Sequence, residues 1–189
     1  MKPVLRVDRI FGGTGLFDQI HYTCRVTRPF GYVLSILLLF ALASGQPRVD
    51  RVIVKKKDHK LLLMNGDTVV KSYAVALARG GLGPKQQEGD HKTPKGCYRI
   101  DSRNQSSRFH RALHISYPNE ADKARAQRLS VDPGGDIMIH GIQNGLGWIG
   151  AAHRLVDWTN GCIAVTDNEI EEIWTLVPDE LPSRFGLGS

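Results

Sequence analysis

Cys162 is the residue of this sequence whose type and surroundings most directly allow covalent chemistry. It follows Gly161, with Thr159 and Asn160 before that pair and the apolar Ile163 after it. The glycine lets a substrate approach the backbone closely, and backbone N–H groups around the pair can form an oxyanion hole. A neighbouring histidine can convert a cysteine thiol into the thiolate that attacks carbonyl groups. The pattern predicts acyl transfer or hydrolysis through a covalent intermediate.

Two histidines are candidates for the base that activates this thiol. His140 ends a short apolar run and is followed by Gly141, whereas His153 lies nine positions before Cys162. We expect His140 to be the base, and we keep His153 as an alternative base or a substrate contact. The residues alone leave a further interpretation open, in which the thiol and the imidazoles are structural.

Metal chemistry receives little support from the other histidines. His110 and His114 are four positions apart, a spacing that suits metal ligands on a helix. The nearby Ile115 and Tyr117 indicate a strand instead, where that spacing carries little information about a metal site. We therefore expect no metal at these histidines.

Four arginines are more difficult to assign. We expect them in a solvated loop, and the alternative is that they meet the carboxylates of a substrate. They are Arg99, Arg103, Arg108 and Arg111.

Two cysteines, Cys97 and Cys162, follow residue 45. They could pair outside the cytosol, or one could be structural and the other reactive. Their local sequences favour the second alternative, and we expect Cys97 to be a buried strand residue.

The elements that must position these residues are strands first and one clear helix later. Apolar runs at 51–54 and 61–64, a turn signal at Asn65-Gly66 and a strand pattern at 68–77 predict a three-stranded meander. Further strands are expected at 97–100 and 137–139. The segment 119–128 is helix-prone, with Asn119 as a plausible cap.

The clearest helix is predicted at 167–177. Thr166 and Glu169 have the spacing of a capping box, and Pro178 ends the helix. Four apolar residues at helical spacing predict one buried face, so we expect Trp174 in the core. The four are Ile170, Ile173, Trp174 and Val177.

The first 45 residues are expected to be a targeting segment and not a folded domain. The run 30–43 carries no charge, is short for a bilayer span, and follows Arg25 and Arg28. This arrangement is typical of a secretory signal peptide, with an uncleaved signal anchor as the alternative. We therefore divide the chain into an N-terminal extension with signal, 1–45, and one catalytic domain, 46–189, which we expect to be exported.

The net charge of the chain is +6, from 25 Lys and Arg against 19 Asp and Glu. A surplus this small gives little reason to expect a polyanionic partner. No basic run with interleaved aromatic residues is present, so we expect no nucleic acid partner.

Three blocks of the sequence together resemble the catalytic domain of bacterial L,D-transpeptidases. The first is the opening meander, which runs into 73–77. The second is KTPKGCY at 92–98, and the third is His140-Gly141 followed by TNGCI at 159–163. The resemblance covers about residues 50–178, and the third block with its ordered spacing is specific.

The resemblance implies a role for each matching residue. Cys162 is the nucleophile, His140 is the base, and the backbone carbonyl of Gly141 orients the imidazole. Gly161 and Cys162 supply oxyanion-hole donors. Four residues are expected near the substrate: Thr159, Asn160, Trp148 and His153.

The resemblance also implies an activity. Family enzymes form a thioester with a peptidoglycan stem peptide, release its terminal D-Ala and transfer the acyl group to an amine of a second stem or a wall-attached protein. The resemblance therefore implies that no cofactor is needed, and it places the exported domain in the periplasm. A hydrolase on the same scaffold is the alternative, and a non-catalytic wall-binding module is another. Ala164-Val165 departs from the Arg-containing pattern of many members, which leaves substrate choice open.

The implied fold is a β-rich α+β domain, a β-sandwich of two mixed sheets with a helix after Cys162. We expect His140 and Cys162 on one rim and the 167–177 helix against the outside. A last strand is also expected near the C-terminus, where an altered segment 182–189 would weaken the sheet.

Overall fold

The computed structural model describes residues 48–179 and 181–185. The predicted N-terminal extension, 1–45, lies outside these residues, as does its apolar run 30–43. Within the described part of the chain, no helix has the length and apolar character needed to cross a membrane.

The predicted meander is confirmed. Strand β1 (Arg51–Lys55) pairs antiparallel with β2 (Lys60–Asn65), which pairs antiparallel with β3 (Thr68–Ala74). The alternate residues Val52 and Val54 of β1 are buried, as expected of a strand with one face on the core. Strand β3 ends before residue 77, because Ala76 leaves it to bridge Ala164 beside the candidate site.

A second set of strands carries the chemistry-bearing residues. Strand β4 (Gly96–Ser107) pairs antiparallel with β5 (His110–Ile115), and β5 pairs antiparallel with β6 (Met138–His140). The short β7 (Ile163–Ala164) then runs parallel to β6. The strands predicted at 97–100 and 137–139 are present, and the first of them is much longer than expected.

The last strand joins the two sets. Strand β8 (Pro182–Phe185) lies between β1, to which it is parallel, and the first residues of β4, to which it is antiparallel. The strand order is therefore β3-β2-β1-β8-β4-β5-β6-β7. The last strand expected near the C-terminus is present, and it occupies the middle of this order.

One hydrophobic core is shared by both strand sets. Val52 and Leu61 from the meander belong to the same buried cluster as Ile100, Ile139 and Ile163 from the second set. The β-rich α+β class is confirmed, with both expected parts linked through the long β4 into one mixed order.

Two helices form where the capping signals predict them. Helix α1 (Glu120–Leu129) begins after Asn119, and helix α2 (Asp167–Leu176) begins after Thr166; each has a complete capping box. Between β6 and β7, a 3-10 segment covers Gly147–Leu155 with a kink at Gly150, in a region that carries no clear pattern in the sequence.

Two expectations about individual residues are wrong, and one holds only in part. Cys97 is exposed, because it alternates on β4 with the buried Tyr98. The four arginines do not share a loop, since Arg103 lies on β4 and Arg111 on β5. Trp174 packs against the core but is only half-buried, and those two guanidinium groups lie over its ring at 4.9 and 5.1 Å.

Candidate functional site

His140 is fixed at the end of β6. It is 3% exposed and lies in register with Ala112 of β5 and Ala164 of β7. Its Nδ1 lies 2.6 Å from the carbonyl oxygen of Gly141. Since the carbonyl can only accept, this contact places the imidazole proton on Nδ1 and leaves Nε2 free to accept another proton.

Aromatic rings close the space around this imidazole. The ring of Phe109 lies 4.6 Å and the ring of Trp158 lies 5.7 Å from it, centroid to centroid. They hold the imidazole in one orientation and restrict the access of water to it.

Gly141 is held as tightly as the histidine. Its N–H group lies within hydrogen-bonding distance of the carbonyls of Phe109 and Arg111, at 3.1 and 3.2 Å. A Cβ atom at this position would lie 2.7 Å from Oδ1 of Asp167 and 3.2 Å from a methyl group of Ile170. The close approach of α2 to this backbone therefore requires glycine.

Cys162 lies directly before β7, at the end of a tight turn. The hydroxyl of Thr159 donates to the Cys162 carbonyl at 2.8 Å and accepts from the Gly161 N–H at 3.4 Å. Gly161 has a φ of +144°, and a Cβ atom there would lie 2.6 Å from Cδ1 of Ile137. Cys162 is half-buried, and its thiol donates to the carbonyl of Asp136 at 3.6 Å.

Burial favours the neutral forms of both Cys162 and His140. It raises the pKa of the Cys162 thiol to about 11, although the N–H of Met138 acts in the opposite direction. Burial also lowers the pKa of His140 to about 4, against the opposing effect of the Gly141 carbonyl. The thiol therefore holds its proton at neutral pH, and the imidazole is uncharged.

Two clefts meet at Cys162. The first, which we call the His140 cleft, has a volume of about 310 Å³, and the second, the Lys85 cleft, about 380 Å³. Cys162 and Asn160 line both clefts, so these two residues lie where the clefts meet. The His140 cleft is also lined by Arg108, Phe109, His140, Gln143, Trp158 and Thr159.

The Lys85 cleft contains charges of both signs. Lys85 is 4% exposed, and its ammonium group donates to Asp90 and to the Gln87 carbonyl, both at 2.9 Å. Burial acts to raise the pKa of Asp90, but Lys85 and three backbone N–H groups bind the carboxylate and hold its pKa below the usual range. Glu88, His91 and Asp136 line the same cleft.

The structure brings together most of the residues predicted for the site. Cys162, His140, Thr159 and Asn160 share the His140 cleft, and Gly141 and Gly161 adjoin it in the backbone. Trp148 is different, since it is 83% exposed on the 3-10 segment and does not line either of these two clefts.

His153 lies in a separate place. It is 7% exposed and lines an apolar cavity of about 200 Å³, which reaches the His140 cleft only through Gln143 and Trp158. Its Nδ1 accepts from Trp158 Nε1 at 3.4 Å, and burial followed by the charge of Arg154 lowers its pKa.

Four residues of these clefts have no clear signal in the sequence: Lys85, Phe109, Gln143 and Trp158. Arg108, one of the four arginines with a substrate carboxylate as the alternative partner, lines the His140 cleft. The proximity of Arg108 and Phe109 to His140 depends on the turn between β4 and β5, which local patterns do not reveal.

The histidines considered as metal ligands have carboxylate partners. Nε2 of His110 lies 2.6 Å from Glu171, and Nδ1 of His114 lies 2.5 Å from Asp101. Across residues 48–179 and 181–185, no group of three or more metal-binding side chains comes together.

The comparisons with known proteins agree with this geometry. The family model of the L,D-transpeptidase catalytic domain (YkuD) matches residues 49–182. The chain is 31% identical over 142 residues to the Escherichia coli K12 protein named "Putative L,D-transpeptidase YafK", across 72% of this chain and 50% of that protein. The chain thus spans about half the length of the curated relatives it matches.

Solved structures share the fold. The helical cell shape determining protein Pgp2 from Campylobacter jejuni superposes with a TM-score of 0.57 at 24% identity, over 75% of this chain and 49% of that one. An L,D-transpeptidase from Xylanimonas cellulosilytica superposes with a TM-score of 0.50 at 14% identity, over 80% and 69% of the two chains. At these identities the likeness establishes the fold.

Proposed function

The chain belongs to the L,D-transpeptidase catalytic domain family, and from this premise we propose that it is a cysteine L,D-transpeptidase acting on peptidoglycan stem peptides. The observation that carries the proposal is the position of Cys162 at the junction of two clefts. Transfer through a thioester needs a site for the acyl donor and a second approach for the amine acceptor. A cysteine that lines both clefts meets this requirement.

Catalysis begins with proton transfer from the thiol of Cys162 to Nε2 of His140. The sulfur attacks the carbonyl carbon of the scissile peptide bond, and the Cys162 N–H stabilises the oxyanion. The Gly161 N–H joins it by exchanging its long contact with Thr159 for the oxyanion. His140 then gives its proton to the departing D-Ala amine, which leaves a thioester.

The second half of the reaction reverses these roles. The amine of a second stem peptide, or of a wall-attached protein, approaches the thioester, and His140 removes its proton as the new amide bond forms. The proton returns to the sulfur of Cys162 as the thiol leaves. The site therefore needs no group that this chain does not supply.

The charges of the clefts suit such substrates. Stem peptides carry carboxylates and amines, and Arg108 in the His140 cleft can bind a carboxylate through two parallel hydrogen bonds. The mixed charges of the Lys85 cleft can bind a group that carries both signs. Since such substrates lie outside the cytoplasm, the proposal includes export to the periplasm, with 1–45 as signal peptide or anchor.

Mass spectrometry of tetrapeptide muropeptides incubated with the purified protein tests this function. The wild type and Cys97→Ala should both give cross-linked dimers that lack D-Ala, whereas Cys162→Ala should give none. Cys97 is the matched control, because it is a free, exposed cysteine that does not line the two clefts. Trimmed monomers without dimers would establish a hydrolase instead. Unchanged substrate with the wild type would contradict both activities.

A further inference from the structure

One peptide group connects His140 to helix α2. The Gly141 carbonyl, which lies 2.6 Å from His140 Nδ1, belongs to the same peptide group as the Ile142 N–H. That N–H donates to Oδ1 of Asp167 at 2.8 Å. A continuous hydrogen-bonded chain therefore runs from the imidazole through the Gly141–Ile142 peptide to a carboxylate.

We propose that Asp167 is a positioning residue for His140, which acts through the Gly141–Ile142 peptide group. The inference rests on the proposed function, since it names the residue that supports its base. A carboxylate bound to the N–H side of a peptide draws the N–H dipole towards itself and makes the carbonyl on the other side a stronger acceptor. The proton on His140 Nδ1 is then held more firmly.

The charge of Asp167 matters most when His140 becomes positive. Transfer of a proton from Cys162 to the buried imidazole creates two charges where there were none. A nearby carboxylate stabilises the imidazolium that forms, as the aspartate of a serine protease triad does by direct contact. Here one peptide group stands between the two, and the carboxylate remains partly accessible at the first residue of α2.

The surrounding structure is built closely around this carboxylate. Oδ1 of Asp167 would lie 2.7 Å from a Cβ at position 141, and its Oδ2 would contact a Cβ at position 147. Both positions are glycines, at the two ends of the loop that leads from His140 into the 3-10 segment. A larger residue at either position would displace the carboxylate from the peptide it binds.

The other titratable side chains near His140 interact with groups other than the Gly141–Ile142 peptide. His153 acts on the pKa of His140 through its charge, and its own pKa responds to Arg154, Glu169 and Asp167. Arg154 pairs with Glu169, and His110 with Glu171. The hydrogen bond to the Gly141–Ile142 peptide comes from Asp167 alone among these side chains of the described structure.

A variant that removes the charge of Asp167 but keeps its hydrogen-bond acceptor tests the proposal. Asp167→Asn keeps an oxygen for the Ile142 N–H but removes the charge. We expect kcat to fall about 10- to 100-fold with KM unchanged. This is the range found when a residue that orients a metal-bound histidine in other proteins is replaced. Glu172→Gln is the matched control, since it removes one charge from the same helix where it meets Lys71 and Tyr73 of β3. Wild-type kcat in Asp167→Asn would overturn the proposal.

A second readout does not depend on the substrate. The rate at which iodoacetamide alkylates Cys162, read on its own peptide by mass spectrometry, should fall at pH 7 in Asp167→Asn and not in Glu172→Gln. This rate depends on proton transfer to His140, so it distinguishes a failure of this proposal from a failure of the proposed function. An unchanged rate would overturn the proposal even if the protein proved inactive on muropeptides.

A third readout uses the wild type, in case the variant does not fold. In protein labelled with ¹⁵N and ¹³C at neutral pH, a scalar coupling through the hydrogen bond should join the Ile142 amide nitrogen to the Asp167 carboxylate carbon. The imidazole ¹⁵N shifts of His140 should show its proton on Nδ1. Absence of this coupling in the folded wild type would overturn the proposal.

Discussion

At the scale of single residues, the proposed chemistry depends on the position of one proton between Cys162 and His140. Burial opposes charge on either group, so the neutral pair is the resting state. This differs from a preformed thiolate–imidazolium pair, in which the cysteine reacts readily without substrate. The thiol here is expected to be activated by proton transfer as the substrate is attacked.

The pH profile of kcat/KM should therefore have its acid limb near pH 4. This limb reports the base of the free enzyme, and burial lowers the pKa of His140 to about 4 from an ordinary 6.5. Steady-state rates on a tetrapeptide substrate across the acid range measure it. A limb near 6.5 would show that the base is a more exposed group.

The variant His153→Gln is the control for this profile. His153 lines a separate apolar cavity, and its replacement should leave both the activity and an acid limb well below 6.5. If the folded variant loses activity at every pH while His140→Gln keeps it, His153 is the base and the assignment to His140 is wrong.

Gly161→Ala should impair both folding and activity. A Cβ at this position lies 2.6 Å from Cδ1 of Ile137, and the φ of +144° disfavours any other residue. Overpacking of this kind costs roughly 1–3 kcal/mol of unfolding free energy, measurable by urea denaturation. The control is Gly135→Ala, where a Cβ meets nothing within 4 Å. Adding Ile137→Val, which removes the clashing methyl group, should restore part of the loss, and no recovery would contradict the steric explanation.

The sequence is informative at this scale where short motifs carry the proposed chemistry. His140-Gly141 and the Gly161-Cys162 turn could be identified because their residue types and order are specific. Lys85, Phe109 and Trp158 could not, because an ordinary lysine or aromatic residue gains a role only when distant segments meet around the thiol. The burial of Cys97 was mispredicted for a related reason, since β4 places alternate residues on opposite faces.

At the scale of elements, α2 is the part of the fold that supports the site. Its first turn brings Asp167 to the backbone after His140, and its last turn is fixed to β4 by one arginine. Arg103 donates to the Trp174 carbonyl at 2.7 Å, to the Val177 carbonyl and to Asp179. The backbone carbonyls of Trp174 and Val177 are among those that the end of a helix leaves without partners within the helix.

Arg103→Ala should therefore loosen the C-terminal end of α2. It removes hydrogen bonds to two carbonyls and the guanidinium that lies 4.9 Å from the Trp174 ring. We expect a loss of roughly 1–3 kcal/mol in unfolding free energy, measured by urea denaturation. Arg99→Ala on the same strand is the control and should change stability by less than about 0.5 kcal/mol, because its side chain is exposed. Equal effects of the two variants would contradict this role.

Helix boundaries were predictable at this scale, whereas irregular structure was not. Each capping box lies within four consecutive residues, so the local sequence contains the whole signal. The 3-10 segment Gly147–Leu155 depends on contacts with the rest of the domain, including the Arg154 pair with Glu169 at the start of α2. No local sequence pattern predicts such contacts.

At the scale of the whole molecule, the two strand sets are held together by the longest strand and the last one. Strand β4 pairs with β8 through its first residues and with β5 through its later ones. A local pattern could predict that a strand exists near each end of the chain. It could not predict that β8 inserts between β1 and β4, because β1 and β8 are separated by most of the domain.

This architecture buries His140 between β5 and β7, which makes the stability of the whole domain depend on pH. The pKa of His140 is about 4 in the folded chain against an ordinary 6.5, so between these values the unfolded chain binds a proton that the folded chain excludes. The stabilisation is fully present above about pH 6.5 and is lost as the pH falls towards 4. A shift of this size corresponds to at most roughly 3 kcal/mol.

Urea denaturation at pH 7.5, 5.5 and 4.5 should show this decline in the wild type and a shallower decline in His140→Gln. Part of the slope should remain in that variant, because burial also lowers the pKa of His153. The double variant with His153→Gln should therefore be shallower still across this window. If the unfolding free energy of the wild type and of His140→Gln fell equally with pH, the imidazole would be reached by water in the folded state. The neutral resting pair of Cys162 and His140 would then also be wrong.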